Sequence, residues 1–170
     1  TMKVYKLLSD GRRQVTGFLF PGDFLGLANN DTYAYSAEAV THATLCRFPR
    51  PKLDKLLERY PKMEKRLLSI ASHELAVAQE QMLLLGRKTA KEKIASFLLT
   101  LSERAESRGQ PGNPVSVPMS RTDIGDYLGL TTETVSRTFT NLRTGGTIAL
   151  RNGGKVEILD LDALQDVAQG

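Results

Sequence analysis

MSRTDIGDYLGLTTETVSRTFTNLRTGG, which runs from Met119 to Gly146, predicts two short helices joined by a tight turn. Ser120 stands three residues before Asp123, the capping-box spacing that satisfies free backbone N–H groups at a helix start. Gly129 lies where a helix often ends in a left-handed residue, and Thr131 is placed to cap the helix that follows. This order of elements is typical of a helix-turn-helix.

Each predicted helix has one apolar face, and the second helix also has a polar face. The apolar face of the first helix consists of Ile124, Tyr127 and Leu128. That of the second consists of Val135, Phe139 and Leu142, which fall together at about 100° per residue. The opposite side of the second helix carries Glu133, Ser136, Arg137 and Thr140. The second helix is therefore predicted to pack on a core through one face and to leave the other free.

The polar face of the second helix carries groups that can read bases in a DNA major groove. Arg137 can donate two hydrogen bonds to guanine O6 and N7, and Glu133 can accept one from cytosine N4. The hydroxyls of Ser136, Thr132 and Thr134 can reach base edges or phosphates, and the helix N-terminus adds N–H groups for a phosphate. An ordinary surface helix with mixed polar residues is the alternative. The two helices alone leave both interpretations open.

Two short alternating segments follow the second helix and predict a β-hairpin. Thr147–Leu150 and Lys155–Leu159 flank the turn at Arg151–Gly154, which contains two glycines. A hairpin directly after a recognition helix is a wing. Residues 87–155 carry 11 basic and 6 acidic side chains, a net charge of +5. The case for a nucleic-acid partner therefore rests on the arrangement of elements, with charge in support.

The motif order resembles a known family of DNA-binding proteins. ETVSR at 133–137 after the GLT turn at 129–131, then the pair Gly145-Gly146 and the wing, is similar to the DNA-binding domain of the Crp/Fnr superfamily, closest to its Fnr and FixK-like branch. The resemblance covers nearly all of the chain and implies an α+β fold in three parts. These are a partial double-stranded β-roll (jelly-roll-like) sensor at 1–60, a long dimerisation helix at 61–86 and a C-terminal winged helix-turn-helix at 87–170.

The resemblance also implies which residues contact double-stranded DNA. Arg137 would read guanine, Glu133 would help to specify the complementary strand, and Ser136 would contact a thymine or a phosphate of a TTGA-type half-site. Backbone or secondary contacts would come from Arg121, Thr122, Thr131, Thr132, Thr134 and Thr140. Thr132 stands where the cAMP branch has a further arginine, which argues against the half-site of that branch. The protein would act as a homodimer, with RNA polymerase as a partner, on genes for low-oxygen respiration or nitrogen fixation.

The first residues predict part of a β-domain. Thr1–Leu8 alternates as a strand, Ser9–Arg12 is a hairpin signal and Gln14–Phe20 is the return strand. Because the first strand begins without a preceding turn, we expect the N-terminal part of the full protein to be absent from this chain. Where the cAMP branch has an acidic residue and then an arginine pair, this chain has Leu27-Ala28 and then Tyr35-Ser36. Without the arginine, a bidentate phosphate clamp is missing, so cyclic-nucleotide binding is not expected.

Cys46 lies in a predicted strand, Glu38–Phe48, and is the single cysteine of the chain. In the Fnr branch a cysteine in this setting is an iron–sulfur ligand, but one cysteine cannot hold a cluster that generally takes four ligands. We therefore expect Cys46 to be a buried small hydrophobe, and a metal ligand only if cysteines in the missing N-terminus complete a cluster. No cofactor is expected. His42, on the same strand, is expected to be exposed.

Helical spacing predicts the connection between the two halves. Pro49–Tyr60 would bury Leu53, Leu56 and Leu57, and Pro61 opens a much longer helix. Steps of three and four give that helix a heptad seam at Leu68, Ala71, Leu75, Ala78, Met82 and Leu85. The seam could pack on the chain itself, but the family places it at a twofold dimer interface, and we adopt that interpretation. His73 is off the seam, and Gly86–Lys88 would break the helix.

Composition excludes several classes of protein. No apolar run approaches the roughly 18 residues of a membrane span, no signal peptide is visible, and a single cysteine indicates a reducing cytoplasm. No nucleophile–base pair, phosphate-binding glycine loop or metal-ligand spacing predicts an enzyme, and Asp160 with Asp162 lacks a third ligand. The remaining alternative is an effector-binding or protein-interaction module with a winged helix that does not read DNA.

Overall fold

The structure is a computed structural model that describes residues 1–26 and 33–170. Two three-stranded sheets and six helices make up these ranges. In chain order they are β1 (Met2–Leu7), β2 (Arg13–Leu19), β3 (Ser36–Ala39), α1 (Arg50–Arg59), α2 (Pro61–Arg87), α3 (Ala90–Glu106), β4 (Val115–Ser116), α4 (Arg121–Leu128), α5 (Thr132–Thr144), β5 (Ile148–Arg151), β6 (Lys155–Ile158) and α6 (Leu161–Gln169). The α+β fold class inferred from the sequence is confirmed.

The first sheet is antiparallel, with strand order β2-β1-β3. Its β1–β2 hairpin pairs Met2 with Leu19 and contains an irregularity between Val4 and Tyr5. The turn uses Gly11 at a φ of 82°, a left-handed value that a glycine adopts without steric cost. The hairpin predicted at the start of the chain is confirmed, and Val15 and Phe18 on β2 are buried.

The strand predicted at Glu38–Phe48 is wrong over most of its length. β3 covers only Ser36–Ala39, because β1 is its one neighbour in the described part of the sheet and the pairing ends where Val40 and Thr41 donate to the Thr1 carbonyl. Alternation of side chains needs a paired strand to become a β-ladder. Cys46 is exposed, which contradicts its prediction as a buried hydrophobe. His42 is exposed as expected.

The two helices after the sheet differ from their predictions in small ways. α1 buries no residue: Leu53 and Leu57 are half-buried and Leu56 is exposed, because α1 lies along α2 and not in a core. α2 continues through Gly86 and ends when Lys88 takes an extended ψ of 144°. The break therefore lies at the end of the predicted segment. All six residues of the predicted seam are exposed in the single chain.

The C-terminal half forms one core from α3 to α6 and the second sheet, of order β4-β6-β5. Thr89 and Glu92 form a capping box at the start of α3. The buried core of this half consists of Ile94, Ala95, Phe97, Leu98, Leu101, Val115, Val117, Met119, Ile124, Leu128, Val135, Phe139, Leu142, Ile148, Val156, Ile158, Leu164 and Ala168. The described helices include none with the length and apolar character of a membrane span.

Candidate nucleic-acid interface

The turn between α4 and α5 has the geometry that its sequence predicts. The Ser120 hydroxyl accepts from the Asp123 N–H at 3.0 Å, and the Asp123 carboxylate accepts from the Ser120 N–H at 3.3 Å, so the capping box is complete. Gly129 ends α4 at a φ of 64°. Thr131 caps α5 by accepting from the Thr134 N–H at 3.1 Å. Both helices therefore begin at side-chain caps, which fix where α5 starts.

The inner face of α5 fixes the helix on the core. Val135, Phe139 and Leu142 are each at most 1% exposed. They belong to the same buried cluster as Ile124 and Leu128 of α4. Thr138 is also buried, and its hydroxyl donates to the Thr134 carbonyl at 2.8 Å. With the inner face fixed, the orientation of the outer face is set by the helix geometry alone.

The outer face of α5 presents the three base-reading candidates to solvent. Glu133, Ser136 and Arg137 are all exposed, and the Glu133 and Arg137 side chains are 72% and 75% exposed. Arg137 donates to the Glu133 carboxylate one turn earlier. At this exposure the ion pair stabilises the chain weakly, so Arg137 can leave it for a base. The structure brings the three candidates together on one free surface.

Hydroxyl groups surround this surface near the start of α5. The hydroxyls of Thr122 and Thr132 lie 3.3 Å apart, which joins the first turns of α4 and α5. Ser136 donates to the Thr132 carbonyl at 2.9 Å, and Thr140 donates to the Ser136 carbonyl at 3.0 Å. A hydroxyl that donates to its own helix keeps its lone pairs as acceptors and can rotate to donate elsewhere.

Arg121 is half-buried and packs against the core side of α5. Its guanidinium lies 3.4 Å from the centroid of the Phe139 ring, a cation–π contact. Burial lowers the pKa of Arg121, which still leaves it cationic because its ordinary pKa is far above neutrality. The contact holds the charge beside the first turn of α4.

A cleft between the wing and the start of α4 adds two basic residues that sequence reasoning missed. Arg151 and Lys155 line this cleft together with Arg121, and the cleft has a volume of about 440 Å³. Arg151 donates to Glu157 through Nε at 2.7 Å, and both Arg151 and Lys155 are exposed. The sequence signal that could have identified Arg151 and Lys155 is their position on the two strands that flank the wing turn.

The described residues do not form a metal or iron–sulfur site. Cys46 is exposed, and no group of three or more His, Cys, Asp or Glu side chains lies together in the described ranges, whereas a cluster takes about four ligands. Asp160 caps α6 by accepting from the Ala163 N–H at 2.9 Å. The predicted difference from the cAMP branch at Leu27-Ala28 lies outside the described residues.

Comparison with known proteins agrees with this geometry. Residues 92–167 match the Crp-like helix-turn-helix domain, and residues 1–60 match the cyclic nucleotide-binding domain. The nitrogen fixation regulation protein FixK of Bradyrhizobium diazoefficiens is 46% identical over 159 residues, 94% of this chain and 67% of that protein. The chain belongs to the Crp/Fnr family of DNA-binding transcription regulators.

Two further relatives within the family are similar along almost the whole chain. The transcriptional activator protein Anr of Pseudomonas aeruginosa is 40% identical over 171 residues, covering 99% of this chain and 70% of Anr. The solved structure of FixK2 from Bradyrhizobium japonicum superposes with a TM-score of 0.84 at 36% identity, covering 98% of this chain and 82% of that one. The chain thus spans about two thirds of the length of these curated relatives. The prediction of the Fnr and FixK-like branch is confirmed.

Proposed function

We propose that this regulator binds a TTGA-type palindrome as a homodimer and activates genes of low-oxygen respiration or nitrogen fixation. One observation carries the proposal: the face of α5 with Glu133, Ser136 and Arg137 is exposed while the opposite face is buried. A helix held in this way can enter a major groove without unpacking its own core. FixK is named as a nitrogen fixation regulation protein, which supports nitrogen-fixation genes as targets, and Anr is named as a transcriptional activator, which supports activation.

Each base-reading residue has a chemical role in this proposal. Arg137 leaves Glu133 partly or fully and donates to guanine O6 and N7, the bidentate contact that distinguishes guanine from other bases. Glu133 then accepts from the N4 amino group of a cytosine on the complementary strand. Ser136, exposed one turn after Thr132, contacts a thymine or a phosphate.

Residues around the base-reading face contact the DNA backbone and fix the register. We assign this role to Thr122 and Thr132, whose hydroxyls meet, together with Arg121, Thr131, Thr134 and Thr140. Arg151 and Lys155 of the wing extend the set to the far side of the cleft. Phosphate contacts of this kind position the protein but carry no sequence information.

A second copy of the chain supplies the other half of the palindrome. An exposed seam runs along one face of α2, and its heptad spacing fits pairing with an identical helix. It consists of Leu68, Ala71, Leu75, Ala78, Met82 and Leu85. Two α5 helices related by a twofold axis would enter grooves about 34–36 Å apart. This assigns sensing to 1–60, dimerisation to 61–86 and DNA binding to 87–170. RNA polymerase is the expected partner, the cytoplasm is the expected location, and no enzymatic activity is assigned.

The test compares a TTGA palindrome with a scrambled duplex by fluorescence anisotropy. We expect tighter binding to the palindrome and a steep fall in affinity with salt, because phosphate contacts release counterions. Arg137→Ala should lose about 1–3 kcal/mol of discrimination at one base pair. The matched control is Arg143→Ala, an exposed arginine in the last turn of α5. Equal binding of both duplexes, with a weak salt dependence, would favour the protein-interaction module.

A further inference from the structure

A group of charges, two of them buried and two half-buried, joins the first sheet to the helix-turn-helix. Lys3 of β1 donates to Asp123 of α4 at 2.8 Å, and both side chains are only 8% exposed. Arg13 of β2 donates through Nη2 to Asp123 at 2.9 Å and through Nε to Asp126 at 2.9 Å. We call Lys3, Arg13, Asp123 and Asp126 the sheet–helix ion cluster. Glu38 of β3 lies at its edge, 3.4 Å from Lys3.

Neutral contacts beside the cluster make this a packed interface. Gln14 of β2 donates to the Asp126 backbone carbonyl at 2.6 Å. The Phe18 ring lies 5.2 Å from the Tyr127 ring of α4 and 6.1 Å from the Phe97 ring of α3, measured between centroids. Arg13 and Asp126 are each 25% exposed, so these contacts enclose their ion pair on most sides.

The cluster ends at the element that sets the position of the recognition helix. The Asp123 carboxylate that receives Lys3 also accepts from Ser120 in the capping box of α4. α4 in turn contacts the start of α5, since the hydroxyls of Thr122 and Thr132 lie 3.3 Å apart and both helices pack into one buried cluster. A displacement of β1 or β2 would therefore move α4 and α5 together.

We propose that Lys3 and Arg13 of the sensor sheet are positioning residues for DNA reading: through Asp123 and Asp126 they fix the angle at which each chain presents α5. The proposal rests on the proposed function, because its readout is DNA binding. A dimer on a palindrome needs both α5 helices at a fixed separation, whereas one half-site needs only one helix. Loss of the cluster should therefore weaken binding to two half-sites more than binding to one.

The experiment is a double-mutant cycle in the full chain with Arg13→Gln, Asp126→Asn and the double variant. Anisotropy is measured on a duplex with the complete palindrome and on one with a single half-site. Each single variant should lose about fivefold or more in affinity for the palindrome, the lower end of a typical coupling between sites, and less than about twofold for the half-site. The double variant should lose little more than either single variant, since the two side chains act as a pair.

Arg12→Gln is the matched control, because Arg12 neighbours Arg13 but is 78% exposed and pairs with Asp10 of its own turn. Urea unfolding of every variant separates positioning from a loss of folding. Equal losses on both duplexes, unchanged affinity, tighter binding, or multiplicative effects in the double variant would each overturn the proposal. If the parent binds the palindrome no better than a scrambled duplex, the proposed function has failed and not the positioning role alone.

Discussion

At the scale of single residues, the turn between α4 and α5 leaves no room for a methyl group at Gly125. A Cβ built there would lie 2.5 Å from the Leu130 backbone oxygen, a distance at which the backbone must shift. Sequence reasoning identified Gly129, whose left-handed φ follows from turn chemistry, but not Gly125. The close approach at Gly125 depends on how two helices pack, which local spacing does not encode.

Gly125→Ala should lower the free energy of unfolding by about 1–3 kcal/mol, because overpacking at a close backbone contact forces α4 away from the turn. Urea unfolding followed by circular dichroism measures the change. Gly86→Ala is the control: Gly86 is helical, and a Cβ there meets nothing within 4 Å. That control should be neutral or stabilising by about 0.5–1 kcal/mol. Equal effects of the two substitutions would show that the contact at Gly125 is relaxed.

At the scale of elements, caps and apolar periodicity predicted the helices well and the third strand poorly. Ser120, Thr131 and the inner face of α5 carry their signals within a few residues, so the helix-turn-helix could be located from the sequence. β3 could not, because the length of a strand depends on a neighbour that is distant in sequence. The seam of α2 could be predicted for the same reason as α5, because its apolar residues repeat within one continuous segment.

Leu75→Glu should leave the chain monomeric, because it places a charge at the middle of the seam where the two copies of the proposed dimer would meet. Leu75 is 60% exposed in the single chain, so its own fold should survive the change. Analytical ultracentrifugation measures the mass, and anisotropy should show about tenfold or weaker binding to the palindrome as the second half-site is lost. His73→Glu, exposed and off the seam, is the control. A Leu75→Glu chain with the parent's mass would rule out the seam as the interface.

At the scale of the whole molecule, the contact between the two halves could not be predicted from the sequence. Arg13 and Asp126 are 113 residues apart, and neither stands out in a periodic pattern. A lysine and an arginine in a strand are ordinary surface residues until the fold places carboxylates opposite them. The sequence therefore gives no reason to single out Lys3, although its side chain is one of the buried charged side chains of the structure. Each half follows from local signals, but their arrangement follows from packing.

The ion cluster makes stability depend on pH in the acidic range. Burial raises the pKa of Asp123, but hydrogen bonds from Lys3 and Ser120 and the Lys3 charge outweigh burial, so the pKa lies below its usual value. The stabilisation is fully present above the unfolded aspartate pKa of about 3.9 and is lost as pH falls through the lower folded pKa. Between those two values the unfolded chain binds more protons, so unfolding free energy should rise with pH.

Urea unfolding from about pH 2.5 to 5 should show a shallower rise of the unfolding free energy in Asp123→Asn than in the parent. The control is Asp54→Asn, an exposed residue of α1, which should follow the parent. If the unfolding free energy of Asp123→Asn rose with pH as steeply as that of the parent, the charge of Asp123 would contribute nothing to stability.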